Sequence, residues 1–136
     1  LTPVAVFEGK IATSNMLKGK QTEPDYTGVP SVVFTIPELA RVGMLEEEAR
    51  ETGDVEVSFT DTSGWFSQKR LGETHAGAKI ISNSEGKILG AHMFGPDYAE
   101  LINIFSLAIK LGLTVDQIKT MPAAYPTGAS DIGSML

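Results

Sequence analysis

The fold is decided by residues 77–111, which read GAKIISNSEGKILGAHMFGPDYAELINIFSLAIKL. Two apolar runs, 77–83 and 87–94, are separated by the turn SEG, and this pattern predicts a β-hairpin. Residues 97–111 follow with apolar side chains around most of a helical circumference. The remaining polar stripe is narrow and contains Glu100, Asn103, Ser106 and Lys110. A helix apolar over so wide an arc must be covered on more than one side, which in so small a domain indicates a partner subunit.

Shorter elements are expected before the hairpin. Residues 31–35 (SVVFT) form a β-branched run that Pro37 ends. Residues 44–52 predict a short acidic helix. Residues 54–60 alternate between the two faces of a half-exposed strand, one of which carries Val55, Val57 and Phe59.

The segment after residue 111 predicts one more helix and an irregular tail. Thr114 is a capping residue for a short helix near 115–120. The tail, 121–136, is rich in proline and glycine, with one helical turn expected near 130–135. The fold class that follows is α+β: a mostly antiparallel sheet of three to five strands, covered on one face by helices and chiefly by 97–111.

The N-terminal segment predicts a separate helix and a connector. Residues 1–18 carry a helical pattern, with Thr2 as the expected N-cap and Pro3 at the first helical position. Gly19 is the expected helix end. Residues 19–29 are polar and aperiodic, so they are the best candidate for a boundary within the chain.

Composition excludes several functional classes. The chain has 136 residues, a net charge of -6 and no cysteine. An acidic chain gives no electrostatic footprint for nucleic acid. Without cysteine there is no disulfide framework, zinc knuckle or redox-active CxxC within these residues. No apolar run is long enough to predict a membrane span, no secretory signal is visible, and we expect a cytoplasmic protein. Because the chain begins with Leu1 and not Met, we expect a piece of something longer or a processed product.

The histidine, acidic and aromatic residues of the chain predict no metal or catalytic centre. His92 lies within an expected strand and His75 in an expected loop, so we interpret them as a half-buried sheet histidine and a solvated one. The acidic residues between 46 and 56 spread over a helix surface and a strand, which is typical of a solvated face. The Trp65-Phe66 pair either anchors a loop in the core or fills an interface.

The most unusual segment is 123–131, AAYPTGASD, in which small residues surround a single tyrosine. Small residues let the backbone approach another group closely. The bond before Pro126 is a candidate cis peptide. Tyr125 can donate a proton to a developing anion, but the residues alone favour a packing role for it.

Two blocks of the sequence resemble a known family. Residues 30–43, PSVVFTIPELARVG, fill the pattern Phe-Thr-x-Pro-Glu-x-Ala-x-Val-Gly that opens the C-terminal dimerisation domain of the FAD-dependent pyridine nucleotide–disulfide oxidoreductases. Glutathione reductase, dihydrolipoamide dehydrogenase and mercuric reductase belong to that family. Residues 86–118 resemble its next block, Gly-x-Ile-Leu-Gly-x-His followed by a Glu-Leu-Ile helix. Several spaced blocks in the right order make the resemblance specific.

The resemblance extends to the first helix, which is similar to the last helix of the family's FAD domain. It implies that residues 1–22 are the last helix and connector of a FAD-binding domain and that residues 23–136 are the dimerisation domain. It also implies that the helix start, at Leu1, Thr2 and Pro3, lies near the flavin pyrimidine edge, where a helix N-terminus favours negative charge. The FAD and NAD(P)H domains and a redox cysteine pair would lie upstream.

The tail departs from the family pattern, which ends His-Pro-Thr-x-x-Glu. Here Pro126 and Thr127 match the Pro-Thr pair, Tyr125 takes the place of the acid–base histidine, and Ser130 takes the place of the glutamate, with Asp131 next to it. Coenzyme A–disulfide reductases of the same superfamily also use tyrosine near the flavin. The departure therefore puts glutathione and dihydrolipoamide in doubt as substrates but does not exclude disulfide reduction.

The resemblance implies a C-terminal fragment that forms the homodimer interface and places the 123–131 loop at the partner subunit's flavin and disulfide. In this interpretation Tyr125 and Asp131 are the catalytic candidates, and Pro126 and Thr127 shape the loop against the flavin. FAD and NAD(P)H serve the full-length enzyme, which acts on a small disulfide or another acceptor, while the fragment alone binds neither cofactor and is inactive. Two alternatives stay open: a flavoenzyme of the superfamily that reduces non-disulfide acceptors, and a catalytically inert dimerisation module.

Overall fold

The computed structural model describes residues 1–19 and 21–136. The strands are β1 (Ser31–Val33), β2 (Leu39–Gly43), β3 (Val55–Asp61), β4 (Gly77–Asn83) and β5 (Ile88–Phe94). The helices are α1 (Thr2–Lys18), α2 (Glu46–Glu51), α3 (Phe66–Lys69), α4 (Tyr98–Leu111), α5 (Val115–Lys119) and α6 (Ile132–Met135), with a 3₁₀ turn at Gly128–Asp131. The strands form a five-stranded antiparallel sheet in the order β1-β2-β5-β4-β3. The α+β expectation is thereby confirmed.

The core lies between α4 and the β4–β5 hairpin. On the helix side of the sheet, Ala78 pairs with Met93 and Ile80 pairs with Ala91, and all four side chains are buried. The small side chains let α4 approach closely, and its large residues fill the layer. The buried residues of α4 are Tyr98, Leu101, Ile102, Phe105 and Ala108. The predicted hairpin and the predicted helix are therefore the two halves of this core.

The other face of the sheet is covered only in part. α2 packs there, where Ala49 is fully buried and Nζ of Lys79 lies 3.1 Å from a carboxylate oxygen of Glu46. Phe59 is on this face and 71% exposed. On the helix side of the same strand, Ser58 donates a hydrogen bond to the carbonyl of Met135. The alternation of β3 is thus as predicted, but its apolar face is the open one, because α6 covers the polar face.

The polar stripe of α4 binds the connector. Ser106 donates a hydrogen bond to the carbonyl of Gly28, and Lys110 forms an ion pair with Asp25. Part of the α4 surface is therefore covered by the same chain. Leu107 and Leu111 are left 58% and 62% exposed, and these are the side chains that a partner would have to cover.

The strand β2 was not predicted, although Leu39–Gly43 alternates between exposed and buried residues. Its signal is short because Pro37 precedes it, and a cis Ile36–Pro37 bond lies between β1 and β2. The run 31–35 is accordingly a strand only as far as Val33.

Helix starts differ from prediction by one or two residues. Thr2 is not the N-cap of α1; that position is Leu1, and no side chain caps it. The predicted 44–52 helix begins at Glu46, because Leu45 takes the N-cap position and its N–H donates to the Glu48 carboxylate. The end of α1 at Gly19 and the Thr114 cap of α5 are confirmed. None of the residues of α1 is buried.

The sheet tolerates no side chain at Gly90. A Cβ there would lie 2.3 Å from the Met44 carbonyl oxygen, whereas a Cβ at the exposed Gly64 would meet nothing within 4 Å. We expect Gly90→Ala to lower the free energy of unfolding by about 1–3 kcal/mol, since backbone must move. The matched control, Gly64→Ala, should be neutral or raise it by up to about 1 kcal/mol. Urea denaturation measures both, and equal stabilities would contradict the close β2–β5 packing.

Candidate functional site

The 123–131 loop lies at the surface, with Tyr125 as its most prominent side chain. The Tyr125–Pro126 bond is cis, as predicted, and Tyr125 is 77% exposed. The loop is folded on itself: Thr127 Oγ1 donates to the Ala124 carbonyl at 2.6 Å, and Ser130 Oγ donates to the Thr127 carbonyl at 2.6 Å. Neither bond involves the phenol hydroxyl of Tyr125. Such a group is accessible to a ligand or to a second subunit.

A small hollow brings four of the predicted site residues together. Tyr125, Pro126, Thr127 and Asp131 line it, opposite Phe66 and Arg70 from the α3 side. Ser67 of α3 donates a hydrogen bond to the Asp131 carboxylate. Within the described residues, no hydrogen bond joins Asp131 to Tyr125. The tyrosine therefore has a carboxylate in its neighbourhood, but that carboxylate is held from the opposite wall.

A buried polar network lies beneath α3. The hydroxyls of Thr62 and Tyr98 are 2.7 Å apart, and Gln68 Nε2 donates to the Tyr98 hydroxyl at 3.3 Å. Burial raises the pKa of Tyr98, and the negative charge of Asp131 raises it further. Sequence reasoning missed Ser67, Gln68 and Thr62. Contacts between residues 30 or more positions apart leave no periodic signal, and a polar residue in a four-residue helix is not marked as buried.

The remaining predicted site residues, Leu1, Thr2 and Pro3, lie at the start of α1. In the described structure, no hydrogen bond or common pocket joins them to the 123–131 loop. α1 is tied to the connector by the Tyr26 hydroxyl, which donates to Glu8 at 2.7 Å, and by Asn15. No side chain caps the helix, so its first N–H groups are free for another acceptor. This end of α1 therefore presents backbone donors and the positive end of the helix dipole, which favour an anionic or electron-rich group.

The two histidines occupy the expected environments. His75 is exposed in its loop, whereas His92 is half-buried in β5 with Nε2 2.9 Å from the Met44 carbonyl oxygen. Burial lowers the pKa of His92, and the charges of Lys79 and Arg41 lower it further, while the hydrogen bond to Met44 opposes the shift.

The part of the chain that the structure describes has neither a metal-binding cluster nor a membrane-crossing helix. Across residues 1–19 and 21–136, no group of three or more histidine, aspartate or glutamate side chains is arranged to hold a metal ion. In the same ranges, no helix has the length and apolar character needed to cross a membrane.

Comparison with known proteins identifies the family. The model for the pyridine nucleotide-disulphide oxidoreductase dimerisation domain matches residues 29–136. The chain therefore belongs to this family, as its sequence motifs predicted. Enzymes of the family depend on FAD and NAD(P)H.

Individual relatives fall into two groups. The chain is 44% identical over its full length to an uncharacterised 19.7 kDa protein in the mercuric resistance operon of Staphylococcus aureus, of which it covers 77%. It is 34% identical to the glutathione reductase of Pisum sativum, over 99% of the chain but only 25% of that enzyme. The chain thus spans most of one relative and about a quarter of the other.

A solved structure of similar fold is the HOCl-induced flavoprotein disulfide reductase RclA from Escherichia coli. The TM-score is 0.87 at 27% identity, over 99% of this chain and 32% of that one. At this identity and coverage the entire chain, α1 included, has a counterpart in a flavoprotein disulfide reductase.

The environment of His92 predicts a pH effect on stability. Because its pKa is lowered in the folded state, stability is fully present above the unfolded pKa of about 6.5 and is lost as pH falls from there through the lower folded pKa. We expect the free energy of unfolding to fall between about pH 7.5 and about pH 5.5. We expect His92→Gln to reduce that fall, with His75→Gln as the matched substitution of an exposed histidine. Urea denaturation at both pH values measures the slope, and an unchanged slope in His92→Gln would contradict this assignment.

Proposed function

We propose that this chain is the interface domain of a FAD-dependent NAD(P)H:disulfide oxidoreductase and that two copies pair through it. The match of the dimerisation-domain model to residues 29–136 carries this proposal. In the proposed division, residues 1–22 are the last helix and connector of a FAD-binding domain, and residues 23–136 are the interface domain. The absence of buried residues in α1 supports this division, because a helix with nothing buried belongs with other surfaces.

The exposed side of α4 is the proposed pairing surface. Leu107 and Leu111 are 58% and 62% exposed on a helix whose other side is the core of the domain. Removing such side chains from water contributes roughly 25 cal/mol for each Å² of apolar area. A two-fold axis beside α4 would place the same residues of both copies against each other, as isologous interfaces require.

The proposed role of Tyr125 is proton donation or substrate orientation. A phenol O–H can donate a proton or a hydrogen bond to an anion that develops on a ligand. The exposure of Tyr125 in a loop that Pro126 and Thr127 shape supports contact with a group outside this chain. Asp131 lines the same hollow and is the proposed neighbour of Tyr125.

FAD and NAD(P)H belong to the proposed full-length enzyme. FAD would supply the two-electron redox chemistry there, and the helix start at Leu1, Thr2 and Pro3 would lie against the flavin edge with its free backbone N–H groups. Proline contributes no N–H, so the donors in this turn are those of its neighbours. The chain alone contains no cysteine and is proposed to be inactive.

The acceptor of the proposed enzyme is a small disulfide, and the upstream sequence tests this. A Cys-x4-Cys pair after the dinucleotide motif supports disulfide chemistry, whereas its absence supports a non-disulfide acceptor. Relatives of this chain include a mercuric reductase from Lysinibacillus sphaericus, so Hg²⁺ is one such acceptor to consider. Soft ions of that kind favour thiolate ligands, and this chain offers none.

A second candidate function is a dimerisation module without catalysis. One observation favours it: the Staphylococcus aureus relative has a mass of only 19.7 kDa, and this chain covers 77% of it. A protein of that size has little room for complete FAD and NAD(P)H domains. The visible absorption of flavin in the purified full-length gene product separates the candidates, because only the enzyme retains the cofactor.

The pairing surface predicts the oligomeric state. We expect the 136-residue chain to be a dimer at micromolar concentration, measured by sedimentation velocity over a dilution series. Leu107→Asp should weaken the dimer roughly hundredfold or more, because it buries an unpaired carboxylate. Phe59→Asp is the matched control, since Phe59 is also an exposed apolar residue, at 71% against 58% for Leu107, but lies on the open sheet face. A monomeric parent chain, or equal dissociation by both variants, would contradict pairing through α4.

Tyr125 predicts a catalytic defect that leaves the cofactor in place. In the full-length enzyme we expect Tyr125→Phe to lower turnover at least tenfold, on the order of what loss of a general acid costs, with FAD content unchanged. Tyr26→Phe is the control, because Tyr26 is also exposed and its hydroxyl donates to Glu8 within the chain. Turnover that is unchanged in Tyr125→Phe would reduce Tyr125 to a packing residue.

A further inference from the structure

The short helix α3 makes two contacts of different kinds with successive side chains. Ser67 donates a hydrogen bond to the Asp131 carboxylate, which lies 64 residues further along the chain. Gln68, the next residue, is 3% exposed and donates to the Tyr98 hydroxyl. α3 therefore contacts both the tail of the chain and the buried network around Tyr98.

The core side of α3 is a rigid support. Thr62 and Tyr98 are 0% and 1% exposed, and their hydroxyls are 2.7 Å apart. The N–H of Trp65 donates to the Thr62 carbonyl at 3.0 Å, which places the start of α3 directly on this network. Breaking such bonds leaves buried polar groups without partners, at the full cost of their desolvation. α3 is consequently held in one position relative to α4.

The tail, in contrast, has few ties to the rest of the fold before Asp131. Residues 124–127 are exposed, and the side-chain bonds of Thr127 and Ser130 stay within the loop. At Gly128 the backbone packs against Leu101 of α4, where a Cβ would lie 2.9 Å from a Leu101 methyl. Asp131 ends the 3₁₀ turn, and the buried Ile132 follows it. Asp131 is thus the last residue of the loop and the one whose side chain is bonded to α3.

We propose that the Ser67–Asp131 hydrogen bond is a latch that sets the position of the 123–131 loop, and that Ser67 is a positioning residue for Tyr125. A bond to an ionised carboxylate is roughly twice as strong as one between neutral groups. It is part-buried, so water competes for it less than at the surface. Both partners of the latch lie within this chain. Its effect on chemistry at Tyr125 rests on the proposed function.

The chain contains a matched bond for comparison. Ser63 Oγ donates to the Asp61 carboxylate at 2.6 Å, within an exposed turn two residues long. It is the same pair of chemical groups, but it joins near neighbours and touches neither the loop nor α6. Loss of this bond should leave the 123–131 loop as it is.

Amide hydrogen exchange in the 136-residue chain, followed by NMR, tests the latch. The informative amides are Ser130, bonded to the Thr127 carbonyl, and Ile132, bonded to the Ala129 carbonyl. We expect Ser67→Ala to speed their exchange on the order of tenfold, with sheet amides such as Ile80 unchanged. Ser67→Thr keeps the hydroxyl and should restore the parent rates, and Ser63→Ala should leave them unchanged.

Four outcomes would overturn the latch: unchanged rates in Ser67→Ala, an equal increase throughout the sheet, the same effect from Ser63→Ala, or no restoration by Ser67→Thr. If Ser67→Ala does not fold, Asp131→Leu replaces it, because leucine is of similar size and has no oxygen to accept the bond from Ser67. Faster exchange confined to Ser130 and Ile132 then supports the latch, and unchanged rates overturn it.

The exchange measurement needs neither the dimer nor the cofactor, so it tests the latch separately from the proposed function. If the chain is monomeric but Ser67→Ala speeds exchange as expected, the proposed function is refuted and the latch is not. If the protein is a dimer with normal catalysis but exchange is unchanged in Ser67→Ala, only the latch is refuted.

Discussion

The packing of α4 against the β4–β5 hairpin supports every other part of the fold. Ile102 and Phe105 are fully buried against small sheet residues, and the paired Ala78 and Met93 lie beneath them. The contacts between β4 and β5 join residues close in the sequence, and those between the hairpin and α4 join residues only slightly further apart. Contacts of such short sequence separation can form early in folding. β2 adds to the free edge of β5 and β3 to that of β4, and α6 closes the helix layer over β3. Each later addition buries area against this central unit.

α4 has a second role that follows from its position. One side is the core, a second holds the connector through Ser106 and Lys110, and a third exposes Leu107 and Leu111. A single helix therefore links the sheet, the segment that leads to α1 and the proposed partner. α1 in turn is joined to the connector by hydrogen bonds of Tyr26 and Asn15, and none of its residues is buried.

The sequence allowed the hairpin, α4, α5 and the αL end of α1 to be predicted, because each has a local signal: alternation, helical period, a capping box or a glycine. It did not allow β2 to be predicted, because five residues after a proline carry too little pattern. It also did not show which face of β3 is covered, since Phe59 reads as a core residue and is 71% exposed. The covered face depends on α6, which comes from the C-terminal end of the chain.

Part of the candidate site could be predicted as one loop, because its residues are adjacent in the sequence: Tyr125, Pro126, Thr127 and Asp131. Ser67 and Gln68 could not, because only the tertiary fold brings α3 to that loop.

In the proposed function a second surface completes the site, and the geometry agrees with this. Tyr125 is exposed on its loop, and the start of α1 lies on a helix with no buried residue. Each is costly to keep ordered for a domain that uses neither, because ordering exposed backbone loses entropy without compensating burial. Both make sense where a further surface completes them. In that arrangement α3 would support the loop from within its own chain, through the bond from Ser67 to Asp131.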